Sequence, residues 1–177
     1  MIKTLKQKIL YENKWVKYHE DEVEFPNGEK GIYAYHERAD AGPMIIPVTP
    51  EGKFLILKEW RYPIKDWTWC FPCGGVEAGE SFLHSAQREL SEETGFTTSN
   101  WKDLGVLFVD PGGSSQTAPV FLAEDIVQNE ELQKDGAEVS DIYFFTAEEI
   151  EEKIHSGEFN NAWLLSGWCK YKNFLKK

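Results

Sequence analysis

The stretch from Gly74 to Phe96 (Gly-Gly-Val-Glu-Ala-Gly-Glu-Ser-Phe-Leu-His-Ser-Ala-Gln-Arg-Glu-Leu-Ser-Glu-Glu-Thr-Gly-Phe) constrains the fold of this chain more than any other. From about Ser81 to Thr94 it contains neither Gly nor Pro, and Phe82, Ala86 and Leu90 recur at every fourth position. That spacing predicts one apolar stripe of an amphipathic helix. Gly79 breaks the chain before it and Gly95 ends it, as a glycine beyond a helix C-terminus does. On such a helix Glu89 and Glu93 are i, i+4 neighbours, and Glu92 lies one turn from Glu89. Like charges so placed weaken a helix unless something compensates them. Arg88 neutralises part of the charge. A solvated acidic helix face is one reading of the run. Three carboxylates on one face also suit a hard cation with oxygen ligands, Mg²⁺ above all, and the fixed offsets of Gly74, Glu80 and Gly95 favour that second reading.

Length and charge narrow the classes. With 177 residues, 41% of them hydrophobic and seven Trp, the chain can bury a core as one domain, or one domain with a small extension. No apolar run approaches the roughly 18 residues needed to span a membrane. The basic N-terminus, Met-Ile-Lys-Thr-Leu-Lys-Gln-Lys, is not followed by the apolar stretch of a signal peptide. A net charge of −11 argues against a nucleic-acid polymer as partner. Small phosphorylated substrates stay open, because a bound metal reverses the local field. Cys70, Cys73 and Cys169 make no disulfide framework. The Cys70-Phe-Pro-Cys73 pair could be half a zinc site or a redox pair. It lacks a second ligand pair at metal spacing and is followed by Gly74-Gly75 rather than a helix, so reduced structural thiols and a cytoplasmic setting are expected.

Along the chain, residues 5–12 and 14–25 alternate like strands, and Pro26-Asn27-Gly28 signals a turn into a strand over 31–37. Short apolar strands are predicted at 43–49 and 53–60, with 61–73 a Trp-rich loop. After the acidic helix, strands are expected near 104–109, 119–123 and 142–145, with an acidic loop over 124–138. Thr146-Ala-Glu-Glu opens a helix with a capping box, and a last helix covers about 162–174. The sum is a mixed α/β fold with the acidic helix beside a central sheet.

Glycine, five residues, Glu, seven residues, then Arg-Glu-apolar-x-Glu-Glu-x-Gly-apolar resembles the signature of the Nudix hydrolases, matched at Gly74, Glu80, Arg88, Glu89, Leu90, Glu92, Glu93, Gly95 and Phe96. The rest of the chain is similar to the ADP-ribose pyrophosphatase and nucleoside diphosphate sugar hydrolase branch of that family. The similarity is carried by Lys14-Trp15-Val16-Lys17, the turn at 26–28, Glu59-Trp60-Arg61-Tyr62-Pro63, Phe71-Pro72-Cys73-Gly74 and Asp110-Pro111-Gly112. The resemblance implies an α/β/α sandwich with a mixed central sheet over 41–177. It also implies a small N-terminal antiparallel β-sheet over 1–40, used for homodimerisation. Glu89 and Glu93, with the backbone carbonyl of Cys73, would hold Mg²⁺ (or Mn²⁺), and Glu92 would be a further ligand or hold a bridging water. Glu80 and Arg88 would brace the box. Arg61 would pair with a phosphate, Trp15 and Tyr33 would stack on the base, and Pro111 and Gly112 would wall the terminal sugar. Taken on their own residues, Trp15 and Tyr33 suit strand packing as well, and Pro111-Gly112 suits a plain turn.

The implied reaction is metal-dependent hydrolysis of a nucleoside diphosphate sugar, of the ADP-ribose, ADP-glucose or GDP-mannose type, to a nucleoside monophosphate and a sugar phosphate. In relatives the general base often comes from the loop before the last core strand. Here that loop reads Lys-Asp-Gly-Ala-Glu-Val over 134–139, and its one glutamate, Glu138, falls a residue beyond the family spacing, which lands on Ala137. Glu138 is the expected base, with Glu92 or Glu89 as alternates. Two further departures, Cys70 where the branch commonly has Glu and Glu59 where it has Gln, widen the expected substrates beyond ADP-ribose. A non-catalytic domain that binds the same ligands, and an enzyme for dinucleoside polyphosphates or capped RNA, are the competing readings. The intact acidic box opposes the first, and the net charge with the Asp110-Pro111-Gly112 loop opposes the second.

Overall fold

The computed structural model describes residues 1–38, 42–129 and 140–176. The chain forms two compact units, Met1–Ala41 with Phe108–Thr117, and Gly42–Leu107 with Ala118–Lys177.

The first unit is an antiparallel sheet of β1 (Lys3–Lys6), β2 (Ile9–Glu12), β3 (Val16–Glu24) and β4 (Lys30–Arg38). β3 is its spine. β4 pairs along its whole length, from Val16↔Arg38 to Glu24↔Lys30, while β2 and β1 follow one another along it. Burial alternates along β3: His19, Asp21 and Val23 are buried, and Tyr18 and Glu22 exposed, as a strand with one covered face requires. Gly28, at φ 86°, makes the turn into β4. The single strand expected over 5–12 is instead two. The backbone N–H of Lys8 bonds to the Asp21 carboxylate at 3.1 Å rather than to the ladder, and the chain bends there.

The second unit holds β5 (Met44–Pro47), β6 (Phe54–Arg61), β7 (Asp66–Cys70), α1 (Phe82–Thr94), β8 (Phe96–Thr97) and β9 (Asn100–Phe108). It continues with β10 (Thr117–Glu124), β11 (Val127–Gln128), β12 (Ser140–Phe145), α2 (Ala147–His155) and α3 (Ala162–Phe174). One sheet runs β5-β10-β9, with β5 and β10 parallel, and another runs β12-β6-β7, antiparallel throughout. Alternate residues of the strands feed two cores. Met44, Ile46, Phe54, Ile56, Val120 and Leu122 pack with Ile150 of α2 and with Leu164 and Trp168 of α3. Ile45, Leu55, Leu57, Phe121 and Ala123 pack with Ala86 and Leu90 of α1. Helices therefore cover both faces of mixed β-structure, the α/β arrangement expected. Thr146 caps α2 with the expected capping box.

Segment 61–73, expected as loop, contains β7, which pairs with β6 from Leu57↔Cys70 to Arg61↔Asp66. The expected stripe of α1 also shifts. Phe82 is 45% exposed, and the buried residues are Ser85, Ala86, Leu90 and Thr94. Among the described residues no helix is long and apolar enough to cross a membrane.

Candidate active site

Helix α1 is fixed at both ends. The Ser81 side chain accepts from the His84 N–H at 3.2 Å, and Gly95, left-handed at φ 75°, returns its N–H to the Ser91 carbonyl. Its buried side lies on the sheet. Ser85 Oγ, on that side, donates to the Gly75 carbonyl at 2.8 Å and so ties the preceding loop to the helix.

The acidic box is organised around one guanidinium, with Glu80 and Glu89 largely buried and Glu92 half exposed. Arg88 reaches Glu80 with two nitrogens, at 3.2 and 3.0 Å, Glu89 at 2.7 Å, Glu92 at 3.0 Å and the Gly75 carbonyl at 2.8 Å. These bonds, those to Glu80 first, push Arg88 further up, so it is a permanent cation. The same contact with Arg88 holds Glu80 below the ordinary carboxylate value. Glu80 also accepts from the Glu77 N–H at 3.1 Å, closing the 77–80 turn.

Glu89 behaves oppositely. Its side chain is 13% exposed, and burial raises its pKa against the opposing pull of Arg88. Its carboxylate lies against the bare Cα of Gly74, where any Cβ would collide with it. Gly42 meets the Gly74 carbonyl as closely, so two glycines let two backbones and a carboxylate share the space. Glu93 Oε2 accepts from the Cys73 N–H at 3.2 Å, placing the 72–73 peptide beside the helix. Cys73 also bridges to Met44 of β5. Glu92 is half exposed. Among the described residues no three His, Cys, Asp or Glu side chains converge at metal-ligand spacing, and Arg88 bonds to both Glu89 and Glu92.

Arg61, the expected phosphate ligand, closes β6 and ion-pairs with the buried Glu59. The other expected substrate residues belong to the first unit. Trp15 stands at the β2–β3 hairpin tip, where Asn13 Oδ1 accepts from the N–H groups of Trp15 and Val16. Its ring lies 4.2 Å from Lys14 Nζ and is 54% exposed. The Tyr33 hydroxyl donates to the Gly112 carbonyl at 3.3 Å, and the 110–114 turn pairs with β4 through the bond from His36 N–H to the Gly113 carbonyl. In that turn Gly113, rather than Gly112, has a carboxylate (Asp110) in the place of a Cβ. Glu138, the expected base, and Ala137 lie outside the described residues. Sequence reasoning missed Gly42 and Ser85. The only signal for Ser85 is a small polar residue beside the apolar stripe, and Gly42 carries none.

The sequence and fold of the chain match known proteins. The NUDIX domain pattern matches residues 39–163, and that of the nucleoside diphosphate sugar hydrolase N-terminal domain matches residues 2–36. The ADP-ribose pyrophosphatase of Bacillus subtilis is 31% identical over 90% of this chain and 86% of its own length. The methanol dehydrogenase activator of Bacillus methanolicus is 29% identical over 86% and 82%, and the ADP compounds hydrolase of Escherichia coli 24% over 88% and 83%. A crystal structure of an ADP compounds hydrolase superposes with a TM-score of 0.81 at 22% identity, over 98% of this chain and 96% of that one, which is a likeness of fold. The matches over 39–163 and 2–36 identify the family: the chain is a member of the Nudix hydrolase family, a pyrophosphohydrolase with the N-terminal region of the nucleoside diphosphate sugar hydrolases.

Proposed function

We propose that this protein hydrolyses the pyrophosphate bond of nucleoside diphosphate sugars, ADP-ribose first among them, with Mg²⁺ (or Mn²⁺ in its place). One observation carries the reading: the carboxylate of Glu89, poorly hydrated and raised in pKa by burial, packed on the bare backbone at Gly74. A buried acid of that kind gains most from a cation at hand.

The donors fit a hard divalent ion, which Nudix hydrolases generally use. Glu89, Glu93 and the Cys73 carbonyl are oxygen donors on facing segments, and Glu92 supplies a fourth from the solvent side. Arg88 is the residue that must yield some of its carboxylate contacts for them to serve. When bound, such an ion withdraws charge from the diphosphate and makes a water more acidic.

The remaining work falls to side chains. The Arg61 guanidinium suits a phosphate oxygen pair, which fixes the diphosphate for in-line attack at phosphorus. The attacking water gives its proton to a carboxylate, that of Glu138 or else Glu92 or Glu89. Glu80 and Arg88 keep the 74–80 loop on α1, so the carboxylates hold their places. Trp15 and Tyr33 would hold the base, Pro111 and Gly112 would border the sugar, and residues 1–40 would form the homodimer contact with 41–177 as the catalytic domain.

Turnover on ADP-ribose, ADP-glucose, GDP-mannose, UDP-glucose, a dinucleoside polyphosphate and a nucleoside triphosphate, with and without chelator, tests this. Chelator-sensitive release of nucleoside monophosphate from the diphosphate sugars is expected. Silence on all of them while a ligand still raises the melting temperature would replace the reading with a binding domain.

A further inference from the structure

Among the described residues, the most deeply buried acid of the second unit is not in the acidic box. Glu59 is 3% exposed, in β6, the central strand of its sheet. Side chains alternate along β6, so Leu55, Leu57, Glu59 and Arg61 share one face, and Leu55 and Leu57 pack on α1 through Ala86 and Leu90. Glu59 is therefore a carboxylate at the end of an apolar row, on the side of the sheet where the candidate site lies. A buried charge is unfavourable unless compensated.

Among the described residues two groups compensate it, and both meet the same oxygen. Glu59 Oε2 is ion-paired with Arg61 Nη2 and accepts the thiol of Cys70 at 2.9 Å. Burial first, and then the negative charge of Glu59, drive the Cys70 thiol well above its ordinary pKa, so it stays protonated and donates. Arg61 is the more exposed member, at the strand end with its side chain 38% exposed against 4% for Glu59. An arginine in that position loses much rotamer freedom on gripping an anion, and one already held by a buried carboxylate loses less.

We propose that Glu59, backed by the Cys70 thiol, is a positioning residue that holds the Arg61 guanidinium ready for the substrate diphosphate. The inference rests on the role proposed above for Arg61. It assigns a use to the two departures, Glu59 and Cys70, that distinguish this chain from the pattern it resembles.

Because Glu59 acts through Arg61, the two residues must be energetically coupled. Steady-state kinetics on ADP-ribose with Mg²⁺ would compare wild type, Glu59→Gln, Arg61→Ala and the double variant. Glu59→Gln keeps the shape of the side chain and removes its charge. It is expected to raise KM by about tenfold with kcat changed by less than about threefold, and to add nothing once Arg61 is Ala. Cys70→Ala should move KM in the same direction, and Cys70→Ser, which restores a donor, should bring it back. This second pair reads the same network if Glu59→Gln fails to fold. Equal effects of Glu59→Gln with and without Arg61, a change in kcat alone, or no difference between Cys70→Ala and Cys70→Ser would each overturn the proposal while leaving the function in place. A wild type inert on every diphosphate sugar would instead overturn the function, and this inference with it.

Discussion

A methyl group at position 74 tests how tightly α1 meets the loop before it. Gly74 has no positive φ to defend. Its constraint is the Glu89 carboxylate lying where a Cβ would go. Gly74→Ala must displace either that carboxylate or the backbone at Gly74, next to the Cys73 N–H that bonds Glu93. A shift of the order of 1 Å in a reacting group costs about 10²-fold in rate, so a fall of that size in kcat/KM is expected with the far-ultraviolet circular dichroism unchanged. Near-wild-type turnover would show that Glu89 does not take part. The ionisation of Glu89 gives an independent check. Its folded pKa lies above the unfolded value, so protons favour the folded state at this site. The metal-free protein should therefore lose stability as pH rises from the ordinary carboxylate range through the raised value. Glu80 titrates in the opposite sense, so the readout is the difference in melting temperature between wild type and Glu89→Gln across pH 4 to 7. A difference that does not vary with pH would remove the buried-acid argument.

At the level of elements, α2 and α3 are joined by a polar clasp whose loss should be measurable. Glu151 accepts from the Trp168 indole N–H at 2.7 Å and from Lys172 Nζ. The bond to Lys172 first, and that to Trp168 next, hold Glu151 below its ordinary pKa. The exposed Lys172 pair contributes little, whereas Trp168 is 4% exposed and would keep its N–H without a partner. Glu151→Ala is expected to destabilise by ~1 kcal/mol in urea unfolding at pH 7. That increment should fade as pH falls through the carboxylate range, since a depressed acid stabilises only while ionised. An undiminished increment at pH 3 would rule the carboxylate out. The elements differ in how well the sequence announced them. α1 and the capping box of α2 were legible because caps and periodicity are local. β7 was not: its hairpin turns through Lys65 at φ 51°, a left-handed position carrying none of the Gly or Asn that marks such turns. The break between β1 and β2 was equally hidden, because it depends on a bond to Asp21, far along the chain. In the site, the acidic residues could be read from spacing. The Arg88 hub, the place of Glu89 on Gly74 and the Glu59–Arg61–Cys70 contact needed three segments brought together.

At the scale of the molecule, the first unit is too apolar on its surface to be left in water without consequence. Tyr11, Tyr18 and Ile32 are 56, 48 and 62% exposed. Tyr18 and Ile32 share one face of the sheet, opposite to that of the buried His19, Asp21 and Val23, since Tyr18 pairs with His36 and Ile32 with Glu22. The Tyr11 and Tyr18 rings stand 6.5 Å apart, and those of Tyr18 and His36 5.8 Å, which extends the aromatic surface across three strands. Leu5, Ile9 and Leu10 add further exposed aliphatic groups along β1 and β2. Exposed apolar groups gathered in this way on a folded protein mark an interaction surface, and an identical second chain is the partner proposed. Ile32→Glu places a third acid beside Glu20 and Glu22, and across a two-fold contact the new charge would face its own copy or those acids. Light scattering after size exclusion should give about twice the 20.4 kDa chain mass for wild type and about the chain mass for Ile32→Glu, at matched circular dichroism. If Trp15 or Tyr33 serves a site completed by the partner, the monomeric variant should also show a raised KM for the diphosphate sugar. A monomeric wild type would end the proposal of a homodimer, and a dimer untouched by Ile32→Glu would move the contact off this face of the sheet.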